Sequence, residues 1–436
     1  MARKITLACT LVYFASYVMR LNFAVMIAKI YTEMGLEKSD LAVVITGLTI
    51  AYGAGQIICG IIGDKVRPSL MLTAGLALAA VANIAMYFVS SVPLMTVVWS
   101  INGFAHSMLW PPIVRILSTH LNDSEYGYAI VRVSWGSSAA TILLYLICPL
   151  LIGEHVGLSW KTVMLICAAV GVAVMIFWTA VSPKLLKEKT AAEVTSAEMT
   201  SAEKTSAGTG SRRKLPNYVF LPIIFIMLAI IFQGNLRDGV TNWTPSFLIE
   251  TIGLPEELAI LATVFLAVLS IVSFWAFEII HRKLFKNEVV CAAFIFGLAA
   301  VFAAVLYAVN RLFSSALLSL IFISLVVACM HGVNLMLISI VPKRFAKSGR
   351  VSTYSGILNA CTYIGAAIST YVFAVLAERY GWDFTLLTWI VLAVAGLVCC
   401  FAAVPLWKRF RKEYSDPQEI RADKIPETVL EDSPEE

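Results

Sequence analysis

The chain has 436 residues, of which 59% are hydrophobic and only 14% charged, with a mean hydropathy of +0.82. This composition excludes a soluble globular domain and demands a lipid solvent. Its apolar runs are long and continuous rather than alternating, which predicts membrane-crossing helices and excludes a barrel. The net charge of +5 is modest, and its placement along the chain says more than its size.

A helix needs about 20 apolar residues to cross about 30 Å of hydrocarbon. On that measure twelve spans are predicted, at residues 5–29, 40–62, 69–90, 93–119, 127–151, 161–182, 217–249, 257–281, 289–309, 314–341, 351–378 and 383–406. The fold class is therefore an all-α integral membrane protein of two six-helix bundles. The bundles cover residues 1–182 and 217–412, with a central loop at 183–216 and a tail at 413–436. The first span carries Arg20 and lacks a small-residue cleavage site after a short apolar core, so it is expected to be retained.

The central loop contains TSAEM, TSAEK and TSAGT, a tandem repeat of small and polar residues that cannot bury a core. It predicts a solvated linker with weak helical tendency, its basic ends near anionic headgroups. The tail begins KRFRKE and turns acidic, which predicts disorder. Basic residues other than Arg20, Arg132 and Arg237 fall 25 to 5 in favour of the face that holds the termini, the even-numbered loops and the central loop. The positive-inside rule makes that face cytoplasmic, in a multi-pass protein of the cell (plasma or inner) membrane.

Nine cysteines lie almost wholly within apolar spans, with no CxxC and no metal-ligand spacing, and read as small buried hydrophobes. No Walker loop, zinc signature or nucleophile–base arrangement is found, so neither an enzyme nor a cofactor or nucleic-acid partner is expected.

Two arginines stand inside membrane-length apolar segments, one in each half: Arg20 in LVYFASYVMRLNFAVMIAKI and Arg237 in PIIFIMLAIIFQGNLRDGVTNWTPSFLI. A charge at that depth costs about 2.5–3.5 kcal/mol on insertion scales, so a chain that keeps two is expected to use them on an anion near the midplane. The plain alternative is that each arginine snorkels or pairs with a carboxylate. Tyr13, Tyr17 and Arg20 share one helical face, with Asn22 close by. A guanidinium and two phenols on one stripe suit an oxyanion. Around Arg237, the residues Gln233, Asn235, Asp238, Thr241 and Asn242 form a polar cluster, with Gly234, Gly239 and Pro245 allowing a local bend. Asp238 has two readings: it balances the charge of Arg237, or it takes up a proton during transport. His106 and His331 read first as satisfied core histidines, although His106 is also a candidate for the polar pathway.

After the second span, GIIGDKVRPS places Gly60, Asp64, Lys65 and Arg67 on a short loop whose charges can latch neighbouring helix ends. This loop, the twelve spans and the long central loop together resemble the major facilitator superfamily. YFASYVMRLNF, AYGAGQIICGIIGDK, the WPP at 110–112, RDGVTNWTPSFL, PKRFAKSGRVSTYSGILNACTYIGAAIS and RYGWDF are similar to its organophosphate:phosphate antiporters. The resemblance implies rocker-switch exchange of an organic phosphate for inorganic phosphate. It also implies substrate contacts at Arg20, Arg237, Tyr13 and Tyr17, and it brings Asn359 and Tyr363 of the eleventh span into the candidate set. The chain departs from the family's glycerol-3-phosphate carriers, with Leu21 and Gln56 where they have lysines and Ser137 where they have a histidine; Asp238 also lies a turn before their acid. These changes remove positive charge and add an acid beside Arg237. The expected partners are a small anionic substrate, inorganic phosphate and the lipid bilayer, with a monomer sufficient. A proton-coupled symporter with Asp238 titrating, and a membrane sensor that binds a phosphate ester without turnover, are the other readings.

Overall fold

The computed structural model describes residues 1–36, 38–153, 156–201, 215–313 and 315–414. The N-terminal half holds α1 (Ala2–Val25), α2 (Ile27–Met34), α3 (Lys38–Gly63), α4 (Pro68–Phe88), α5 (Val92–Ser107), α6 (Trp110–His120), α7 (Asp123–Ile152) and α8 (Trp160–Ser201). The C-terminal half holds α9 (Phe220–Gly234), α10 (Val240–Ile252), α11 (Glu256–Leu284), α12 (Glu288–Leu312), α13 (Ala316–Asn334) and α14 (Val351–Tyr414). Among the described residues nine helical stretches are long and apolar enough to cross a bilayer. The last of these is two helices joined at Gly381, where φ 80° and ψ 172° leave the helical region for one that suits a residue without a Cβ.

Two boundaries differ from the sequence reading. The predicted fourth span is two helices, because Pro111 and Pro112 at the start of α6 cannot donate into a preceding turn, and the chain breaks at Met108–Leu109. α8 runs through Pro183 and stays helical to Ser201, so the helix enters what was predicted as a linker. Ala, Glu, Lys and Met there are good helix formers. Residues 202–214 of the linker and 415–436 of the tail lie outside the described residues.

The two halves repeat one scheme of neighbours. In the first, α1 lies along α7, α3 along α5 and α4 along α8. In the second, α9 lies along α14, α11 along α13 and α12 along α14. Between halves, α3 meets α14 and α7 meets α11. Small residues set the closest approach: a Cβ on Gly356 would stand 2.1 Å from the Gln56 carbonyl oxygen and 2.9 Å from the Gly60 Cα. Leucine and isoleucine side chains are exposed along the outer faces, as expected where lipid is the solvent. All nine cysteines are free; Cys399 is half-buried and the rest are buried.

The halves are tied at the end that carries the termini. Asp64, at the end of α3, accepts from the backbone N–H groups of Ser352 (2.8 Å) and Thr353 (2.9 Å). These are orphan donors of the first turn of α14, so a carboxylate of one half caps a helix of the other. Arg115 donates to the carbonyls of Gly63 and Val66 (2.9 Å for Val66), closing the C-terminus of α3 beside that cap. Tyr126 of α7 donates to the Ser339 carbonyl, and Asp123 pairs with Lys343 and, at 3.4 Å, with Arg344. Of the loop signature, Gly60 lies in the contact between halves and Asp64 in the cap, while Lys65 and Arg67 are exposed on the turn.

Candidate functional site

A cavity of about 430 Å³ lies between the halves, in the size range of small-ligand pockets. Tyr13, Tyr17, Tyr52, Trp110 and Ser137 line it from the first half, and Arg237, Asp238, His331, Asn334, Asn359 and Tyr363 from the second. Members of both predicted polar constellations, Tyr13 and Tyr17 of one and Arg237, Asp238 and Thr241 of the other, therefore meet at one place.

Arg20 sits behind this wall. Its guanidinium carbon lies 4.0 Å from the ring centroid of Tyr52 and 5.7 Å from those of Tyr17 and Tyr363, and its Nη2 donates to the Tyr363 hydroxyl at 3.3 Å. Two of these rings come from the first half and one from the second. The arrangement holds a desolvated cation by ring faces, a contact worth about 2 kcal/mol or more when water is excluded. Among the described residues no carboxylate pairs with Arg20, and its Nε is buried without a hydrogen-bond partner. Tyr13 supports the cage from α1, with its ring 5.0 Å from Tyr17 and 5.1 Å from Trp110.

Arg237 stands on a π-helical turn, Asn235–Gly239, between α9 and α10. Arg237 Nε and Nη2 donate to the two carboxylate oxygens of Asp238 at 2.6 and 2.9 Å, a bidentate pair. Thr241 bonds back to the Arg237 carbonyl at 2.6 Å. A second π-helical turn, Leu335–Ile340, follows Asn334 at the end of α13, so both π-helical turns border the cavity.

Several candidates serve packing instead. Asn22 donates to Asn83 at 2.7 Å, and Asn83 and Asn102 both donate to the Met19 carbonyl, so this cluster joins α1, α4 and α5. Gln233 donates to the Met330 carbonyl at 3.1 Å and accepts from Thr362 at 3.4 Å. His106 holds α5 to α1, each ring nitrogen 2.7 Å from a backbone oxygen, of Asn102 and of Ser16. Gln56 is fully buried where α3 meets α14, and neither atom of its amide has a partner among the described residues. None of these four lines the cavity. His331, read from the sequence as core, does line it, edge-on to Phe274 with centroids 5.3 Å apart. Tyr52 was also missed; it lies one helical turn before Gln56, in the quoted motif AYGAGQ, and Asn359 donates to its hydroxyl at 3.4 Å.

A charge-bearing cavity between two repeated helical halves defines the class, a two-lobed polytopic membrane carrier. The profile of the Major Facilitator Superfamily matches residues 9–355, and the chain belongs to that superfamily of membrane transporters. Its relatives include the glycerol-3-phosphate transporter of Bacillus subtilis strain 168, 27% identical over 391 residues that cover 85% of each chain. The phosphoglycerate transporter protein of Salmonella typhimurium is 23% identical over 413 residues, covering 89% of this chain and 85% of its own length. The membrane sensor protein UhpC of Escherichia coli K12 is 24% identical over 259 residues, 58% of each. These relatives agree with the organophosphate motifs read from the sequence. Among solved structures, FucP in an outward conformation superposes with a TM-score of 0.68 at 14% identity, covering 92% of this chain and 98% of that one, a likeness of fold alone.

Proposed function

We propose that this protein is a secondary carrier that exchanges a small organophosphate for inorganic phosphate by alternating access, with both termini in the cytoplasm. The observation that carries the reading is one cavity between the halves, lined by Arg237 of the second and backed by Arg20 of the first behind its tyrosine wall. Organophosphate transporters among the relatives support the substrate class. The two arginines act from opposite lobes, so a bound oxyanion attracts both and favours a rocking step over an empty return. The ties at Asp64, Gly356 and Asp123 support a state closed toward the cytoplasm, from which opening must break an interlobe helix cap and ion pairs.

The test is uptake of labelled inorganic phosphate into proteoliposomes preloaded with phosphate, in the presence of glycerol-3-phosphate or hexose 6-phosphates. The expected result is uptake that requires internal phosphate and is inhibited by at least one ester. Uptake driven instead by an imposed proton gradient, and independent of internal phosphate, would establish the symporter. Ligand binding without flux would establish a sensor.

A further inference from the structure

The two arginines of the site are not equivalent, and the difference bears on the charge of the substrate. Arg20 meets only phenol rings and a hydroxyl. Arg237 commits the N–H of Nε and one N–H of Nη2 to the adjacent Asp238, leaving the Nη1–Nη2 edge, with three of its five N–H donors, to a ligand. Asp238 itself lines the cavity and is partly exposed to it. Two guanidiniums and one carboxylate leave a single net positive charge. A dianion placed against Arg237 would sit beside the Asp238 carboxylate, and like charges at that separation repel.

We propose that the site takes a tetrahedral oxyanion carrying one net negative charge, and that Asp238 is the residue that sets this limit. The class includes the monobasic form of a phosphate monoester, a phosphodiester and a sulfonate. The oxyanion bonds the remaining edge of Arg237 and feels the charge of Arg20 through the tyrosine wall, and the Arg237–Asp238 pair stays intact as a neutral unit. The inference rests on the organophosphate reading for the place of binding, and adds the ionisation state.

The other groups that border this cavity are Arg237 on the same turn, His331 on α13, Tyr13 and Tyr17 on α1, Tyr52 on α3 and Tyr363 on α14, with Arg20 behind the tyrosines. A change of charge on any of them alters affinity for every anion. A limit set by the ligand's own charge alters affinity only for a ligand that titrates.

The experiment is calorimetric binding to the purified full-length carrier in nanodiscs, with methyl phosphate and methanesulfonate as probes at pH 5.5 and 7.5. Phosphate monoesters lose their second proton near pH 6, so if only the monoanion binds, the apparent Kd for methyl phosphate rises about 25-fold between the two pH values. Methanesulfonate keeps one charge throughout, and its Kd is expected to hold within about threefold, the spread of ordinary context effects on a charged contact. In Asp238→Asn the methyl phosphate slope is expected to flatten or reverse while methanesulfonate still binds, which shows the variant is folded. Asp238→Glu, which keeps the charge, is expected to retain the slope. Wild-type protein that binds methyl phosphate at pH 7.5 as tightly as at 5.5, or an Asp238→Asn variant with an unchanged slope, overturns the charge limit and leaves the organophosphate reading standing. Failure of wild-type protein to bind methyl phosphate, methanesulfonate and inorganic phosphate at both pH values overturns both.

Discussion

At the scale of single residues the site is organised by what neutralises each guanidinium. Aromatic faces stabilise Arg20 without removing its charge, and Asp238 removes most of the charge of Arg237. A lysine at either position keeps a charge but loses the planar fork, and for Arg20 also the stack on Tyr52. A charge-assisted hydrogen bond contributes about 1.5–3 kcal/mol, so Arg20→Lys and Arg237→Lys are each expected to slow phosphate exchange about ten- to a hundredfold. Initial rates in proteoliposomes decide this, and near-normal exchange by either variant would remove that arginine from substrate binding. Both arginines, Tyr13 and Tyr17 were legible from sequence because charge at membrane depth is costly and helical spacing sets their face. His331 was not: an isolated histidine in an apolar span looks the same whether its ring meets the core or a cavity.

At the scale of elements, function rests on contacts that must both form and break. The cap of α14 by Asp64 satisfies two N–H groups, and losing a cap costs about 0.5–2 kcal/mol. Asp64→Asn retains only one acceptor oxygen. It is expected to raise hydrogen exchange in the first turn of α14 several-fold, read by mass spectrometry; unchanged protection there would mean the cap does not hold the halves together. Gly356 and Gly365 give a matched pair on the same helix. A Cβ at Gly356 meets the other half at Gln56, whereas one at Gly365 meets Ile231 of its own half, 2.1 Å from the carbonyl oxygen. Gly356→Ala is therefore expected to block exchange while leaving the melting temperature within a few degrees of wild type. Gly365→Ala is expected to lower the melting temperature by several degrees, since overpacking costs about 1–3 kcal/mol. Identical behaviour of the two variants would mean that the contact between halves is ordinary packing.

At the scale of the whole molecule, two lobes with one repeated neighbour scheme move against each other, and their contact surface carries a built-in penalty. Gln56 is buried in that surface with its amide unpaired among the described residues. A buried polar group left without a partner costs about 1–3 kcal/mol, and separation of the lobes relieves that cost. Gln56→Leu is expected to remove the penalty, raise the melting temperature and slow exchange by favouring the closed contact. A variant that exchanges faster than wild type would show that Gln56 does not oppose closure.

The sequence alone determined the membrane-bound all-helical class, the division into two halves and the two arginines within apolar spans. These are properties of composition, of periodicity and of charges whose cost in lipid demands a use. Only the tertiary structure decided which polar residues face the cavity and which fasten helices. Asn22, Gln233 and His106 are as polar as Asn359 and Asn334, and they differ in whether the neighbouring helix offers a hydrogen-bond partner or an open space. It also decided that Asp238 grips Arg237 with both oxygens, because adjacent residues on a helix do not face each other and spacing alone does not predict the pair.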